Sequence, residues 1–76
     1  MLGDDSVEKE IKIETEFIKL DQLLKFIGLT QTGGHSKMLI QEGLIKVNDE
    51  ICLQRGRKIK KNDKIIIEGE GSFIII

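Results

Sequence analysis

Lys19 to Asp49 reads KLDQLLKFIGLTQTGGHSKMLIQEGLIKVND, and the architecture of the chain follows from it. Leu20, Leu23, Leu24 and Ile27 fall at i, i+3, i+4 and i+7, the apolar stripe of a short α-helix. Gly28 stands just past the last periodic residue as a C′ glycine, with Leu29 placed for the hydrophobic contact that accompanies such a stop. Thr32 is a good N-cap for a second helix, which runs through GGHSKMLIQE to Gly43, another C′ glycine. Ser36, Leu39 and Ile40 share one face of it. Ile45 and Val47 then alternate into Asn48-Asp49. Both residues tolerate positive φ, so the pair predicts a two-residue hairpin loop leading to Ile51 and Leu53.

Upstream, Ile11, Ile13, Thr15 and Phe17 alternate with Lys12, Glu14, Glu16 and Ile18, which predicts a strand over residues 10–17. Downstream, Asn62-Asp63 marks a turn, Ile65 to Glu68 an apolar strand, Gly69 to Ser72 a turn, and Phe73 to Ile76 a last strand. Residues 1–9 have no apolar periodicity and read as a disordered acidic tail. The expectation is an α+β fold over residues 10–76. Two short helices pack on one face of a small, mostly antiparallel sheet, with an added N-terminal strand and a C-terminal hairpin.

Composition excludes several classes. At 76 residues there is room for one domain and a modest core. One cysteine cannot form an internal disulfide, which suits a reduced, cytoplasmic protein. No apolar run approaches the ~20 residues needed to cross a bilayer, so no membrane partner is expected. MLGDDSVEKE has the wrong chemistry for a signal peptide. The net charge of −1 conceals a division: residues 1–16 carry six acids against two lysines, whereas residues 17–76 carry ten cations against seven acids. Arg55 to Lys64 holds six cations and one acid, Asp63. A run of this kind is often a solvated surface turn. Its arginines point instead to phosphate, which they can grip with a planar fork that lysine lacks.

Gly33 and Gly34 in the first turn of the second helix each disfavour helix by about 1 kcal/mol relative to Ala. One reading is a frayed helix start held by tertiary contacts. The other is that absent side chains let a phosphate approach the free amides at the positive end of the helix dipole. Catalytic candidates are few. His35 is the one histidine and Cys52 the one cysteine, so neither a Cys/His pair nor a metal cluster can be assembled. His35 reads as an exposed polar residue and Cys52 as a buried or half-buried structural thiol. Asp49-Glu50 fall in a turn with nothing to raise a pKa. The expectation is a non-enzyme without catalytic residues, cofactor or metal. Phe17, Phe26 and Phe73 are assigned to the core, which argues against an aromatic platform for stacked bases.

These residues carry a family resemblance. K-L-D-x-x-L-K-x-x-G-L from Lys19, S-K-x-L-I-x-x-G-x-I-x-V-N-D from Ser36 and R-K-I-x-x-x-D-x-I from Arg57 resemble the S-four domain, the αL RNA-binding motif. The core motif covers residues 19–67. Thr15–Asp21, Gln31–Gly34 and Arg55–Lys58 are similar to the free-standing YaaA-like members. The resemblance implies binding of structured RNA, ribosomal RNA foremost, by a stand-alone monomer that assists ribosome assembly or RNA handling, with the ribosome or its precursor as partner. By position it implies contacts from Lys19, Lys37, Arg55, Arg57 and Lys58. A Ser-Arg pair common in the family is replaced here by Gly33-Gly34, which favours backbone amides at Thr32, Gly33 and Gly34. The alternative is a protein-interaction module acting through the acidic tail or through Phe73–Ile76 as an exposed edge strand.

Overall fold

The computed structural model describes residues 8–76. Its elements are β1 (Lys9–Ile11), β2 (Phe17–Lys19), α1 (Leu20–Phe26), α2 (Gly33–Gln41), β3 (Ile45–Val47), β4 (Glu50–Ile51), β5 (Lys58–Lys60), β6 (Lys64–Ile67) and β7 (Gly71–Ile75). Both helices begin and end where the sequence punctuates them. Gly28 has φ +83°, its N–H donates to the Lys25 carbonyl, and the Leu29 N–H donates to the Leu24 carbonyl, each at 3.0 Å. That pair of bonds is a Schellman stop. Gly43 closes α2 with φ +76°. Asn48 and Asp49, at φ 53° and 73°, form the left-handed two-residue turn that matches strand twist.

Five strands form one sheet in the order β1-β7-β6-β3-β4, antiparallel throughout except for the parallel pair β1–β7. β2 and β5 make a separate antiparallel ribbon. The helices and both sheets share one core. Leu20, Leu23 and Leu24 of α1 and Ile40 of α2 are buried with Ile45, Val47, Ile65, Ile67 and Ile75 of the large sheet and Ile59 of the ribbon. Each such side chain contributes about 1.5–3 kcal/mol when fully buried. A polar clasp holds the two turns at one end of the sheet. The Asp63 carboxylate accepts from the Lys60 N–H at 2.8 Å and from the Asn48 side-chain amide at 3.1 Å, while Asn48 Oδ1 accepts from the Lys64 N–H at 3.0 Å. The single acid of the basic stretch therefore fixes a turn.

The expected α+β class and mostly antiparallel sheet are found, with five differences of detail. The strand predicted over 10–17 is two strands in different sheets. The chain bends at residues 14–16, where the Thr15 hydroxyl donates to the Phe17 carbonyl at 2.8 Å, a local bond that competes with pairing. The basic loop contains β5, because Ile59 is wholly buried between two exposed lysines. The strand after the hairpin stops at Ile51. Cys52 is buried, while Ile51 and Leu53 point outward. Phe26 is 60% exposed rather than core, and Phe17 is half-buried. Finally, β7 is no edge strand: it lies between β1 and β6 with both sides paired, which removes strand addition at Phe73–Ile76. Of the acidic tail expected over residues 1–9, residues 1–7 lie outside the described residues, and Lys9 opens β1.

Candidate nucleic-acid interface

Helix α1 starts against the arginine loop. The N–H of Leu20 donates to the Arg57 carbonyl at 2.9 Å and that of Asp21 to the Arg55 carbonyl at 3.0 Å. Two of the four donors that a helix start leaves free are thus satisfied by the loop backbone, and the loop is pinned to the helix while its side chains stay in solvent. Lys19 is the N-cap position of α1 and also ends β2, where it lies directly opposite Lys58 of β5. Lys19, Arg55, Arg57 and Lys58 are accordingly one neighbourhood, and all four are exposed.

The start of α2 is tied to the same place by a buried hydroxyl chain. Ser36, wholly buried, donates to the Asp21 carbonyl at 3.2 Å, and the Thr30 hydroxyl lies 2.6 Å from Ser36 Oγ. With the serine proton committed to Asp21, Thr30 is the donor of that second bond. Ser36→Ala would strand the buried Thr30 hydroxyl at a cost of about 1–3 kcal/mol. A thermal melt should fall by at least about 4 °C for a domain of this size. An unchanged melt would remove this chain as the joint between the helices.

Thr32 caps α2: its Oγ1 accepts from the His35 N–H at 3.1 Å. The Ser36 N–H goes to the Thr32 carbonyl. The amides of Gly33 and Gly34 have no protein acceptor among the described residues. A Cβ built on either glycine meets nothing within 4 Å, and neither φ is positive. Neither packing nor backbone geometry therefore demands glycine at these two positions. Lys37 lies one turn beyond Gly33 on the same face, and its Cβ, like every helical Cβ, tilts toward the N-terminal end that carries those amides.

Among the described residues the one ion pair is Lys64 with Glu8, at 3.9 Å on the surface. The five expected contact cations are therefore not neutralised by a described carboxylate. Asp21, in the first turn of α1, has one carboxylate oxygen shut from solvent without a hydrogen-bond partner among the described residues. Its place at the positive end of the helix dipole partly compensates it. His35 is exposed and Cys52 buried, with its thiol 3.6 Å from the Gln54 carbonyl. The described residues contain no cluster of histidine, cysteine and carboxylate that could hold a metal, and no helix long and apolar enough to cross a membrane.

Each expected contact residue thus has a place. Lys19, Arg55, Arg57 and Lys58 meet at the start of α1. Thr32, Gly33, Gly34 and Lys37 form the start of α2, joined to it through Ser36 and Asp21. Thr32 spends its hydroxyl on the cap. In the sequence Lys60 is one more charge in a basic run, whereas strand pairing sets it on the same ribbon face as Lys19 and Lys58. The K-I-K alternation around a buried Ile59 was the available signal.

The sequence is similar to known proteins. The sequence model described as the S4 domain matches residues 11–76. A "Probable ribosome maturation protein RlbA" of Bacillus subtilis (strain 168) is 44% identical over 66 residues, covering 87% of this chain and 93% of that protein. A "Tyrosine--tRNA ligase" of Nitrosomonas europaea is 31% identical over 68 residues, covering 90% of this chain and 17% of the ligase. The second match is a domain-sized piece of a larger enzyme.

Proposed function

The chain belongs to the S4 domain family, and from that premise we propose that it is an RNA-binding protein that recognises folded RNA, ribosomal RNA foremost, in ribosome assembly. The observation that carries this reading is the convergence at the two helix starts. Four exposed cations gather at the start of α1, and the start of α2 offers two amides without acceptors among the described residues, one turn before Lys37. Phosphates at the fixed spacing of folded RNA suit such a surface. The name of the Bacillus relative, which this chain matches along nearly its whole length, supports the ribosomal assignment. The reading is of a binder and not an enzyme. The ligase match covers a small fraction of that enzyme and gives no support for ligase activity here.

The test is a salt titration. If Lys19, Lys37, Arg55, Arg57 and Lys58 neutralise four or five phosphates, log affinity against log salt should fall with a slope of roughly −3 to −4.5. Anisotropy of a labelled ribosomal hairpin measures it, with an unstructured strand of equal length alongside. The hairpin should bind more tightly. A flat salt response, or equal affinity for both strands, would sink the reading.

A further inference from the structure

The β2–β5 ribbon has two faces of opposite character. In its register Phe17 pairs with Lys60, Ile18 with Ile59 and Lys19 with Lys58. Side chains alternate along a strand, and directly paired residues share a face. Ile18 and Ile59 therefore turn to the core, where Ile59 is wholly buried. Phe17, Lys19, Lys58 and Lys60 form the outer face. All three lysines are exposed, Phe17 is half-buried, and neither strand contains an acid. Lys58 Nζ sits over the Phe17 ring, 4.9 Å from its centroid. The ring face that Lys58 covers can take a planar group once that lysine, exposed on a flexible stem, swings away.

Resting on the RNA reading above, we propose that this face binds one unpaired nucleotide of the folded RNA. Its base stacks on Phe17, and Lys19, Lys58 and Lys60 meet the phosphates around it. Lys58 leaves the ring for a phosphate as the base arrives, so one cation–π contact is exchanged for a stack and an ionic contact. The ribbon adjoins the arginine loop through Lys58, so the nucleotide lies next to the helical segment held at the helix starts. A bulged base flanked by duplex on both sides has this geometry, whereas a base within an uninterrupted duplex is not free to leave its stack.

The chain contains no tryptophan, so Phe17→Trp installs a single reporter in the full protein. It is titrated with an RNA hairpin carrying one bulged adenosine and with the same hairpin lacking the bulge, both closed by a compact tetraloop whose bases stack on one another, and anisotropy of labelled RNA sets equal occupancy. Tryptophan emission should be quenched by the bulged hairpin and not by the uninterrupted one. Phe17→Leu keeps an apolar side chain on the ribbon. It should weaken the bulged hairpin about fivefold or more and leave the other within about twofold. Lys60→Gln should reduce the salt slope by about 0.7–0.9. Binding without any change in emission overturns the stacking site while leaving the RNA reading intact. Equal weakening of both hairpins by Phe17→Leu also overturns it, and reduces Phe17 to holding Lys58 in place. If neither hairpin binds, the RNA reading falls and this site falls with it.

Discussion

Replacing Arg55 and Arg57 together with Glu should weaken RNA binding tenfold or more and leave the melting temperature almost unchanged. Both halves follow from how the loop is built. The loop holds the start of α1 through the carbonyls of Arg55 and Arg57, and a backbone N–H of Arg57 donates to Gln54 at 3.1 Å. None of these bonds uses a side chain. Both arginines are exposed and neither pairs with a carboxylate among the described residues. On the binding side, each direct hydrogen bond to a charged group is worth about 1.5–3 kcal/mol, and about 1.4 kcal/mol is a factor of ten. Two lost contacts therefore suffice, before the repulsion from two new carboxylates is counted. Arg→Lys at both positions should fall between, because lysine keeps the charge and loses the bidentate fork. Unchanged affinity with an unchanged circular dichroism spectrum would reduce the loop to solvated surface.

Where the sequence was easy to read, one physical signal spoke alone. The stripe Leu20, Leu23, Leu24, Ile27 has helical spacing and nothing competing with it, and Gly28, Thr32, Gly43 and Asn48-Asp49 each have a backbone preference that decides the local geometry. The N-terminal strand was harder, because Ile11 to Phe17 alternates without a break while the chain changes sheets at residues 14–16. Alternation reports which side chains are buried. It does not report which neighbour a strand pairs with, and that is settled by distant residues. The same limit hid the pairing of β7 with β1, which turns an apparent edge into an interior strand.

The candidate interface shows a related split. Net charge and residue type identified the cations. The hydrogen bonds that gather them, Leu20 and Asp21 to the arginine loop and Ser36 to Asp21, join segments with no sequence pattern in common. β5 is hard to see in the sequence because six charges within Arg55–Lys64 outweigh one isoleucine, although Ile59 is the residue that sets the ribbon's orientation. Without that orientation, nothing in the sequence sets Phe17 apart from a core phenylalanine.

Gly34→Asp should move stability and binding in opposite directions. Gly34 is exposed in the first turn of α2, a Cβ there meets no atom within 4 Å, and its φ is not positive. Replacing a helical glycine recovers a fraction of the roughly 1 kcal/mol that glycine costs against Ala. An acid in the first turn adds about 0.3–1 kcal/mol through the dipole. The melting temperature should therefore hold or rise by a few degrees, at about 4–8 °C per kcal/mol for a domain of this size. RNA affinity should fall tenfold or more, because a carboxylate would stand where the amides of Gly33 and Gly34 and the Lys37 ammonium would otherwise receive a phosphate. Gly34→Ala separates charge from shape. It should raise the melting temperature as well, and cost little binding if the phosphate clears a methyl group. A higher melting temperature with unchanged RNA affinity for Gly34→Asp would show that the two amides are not the phosphate site, since the added charge could not sit there unnoticed.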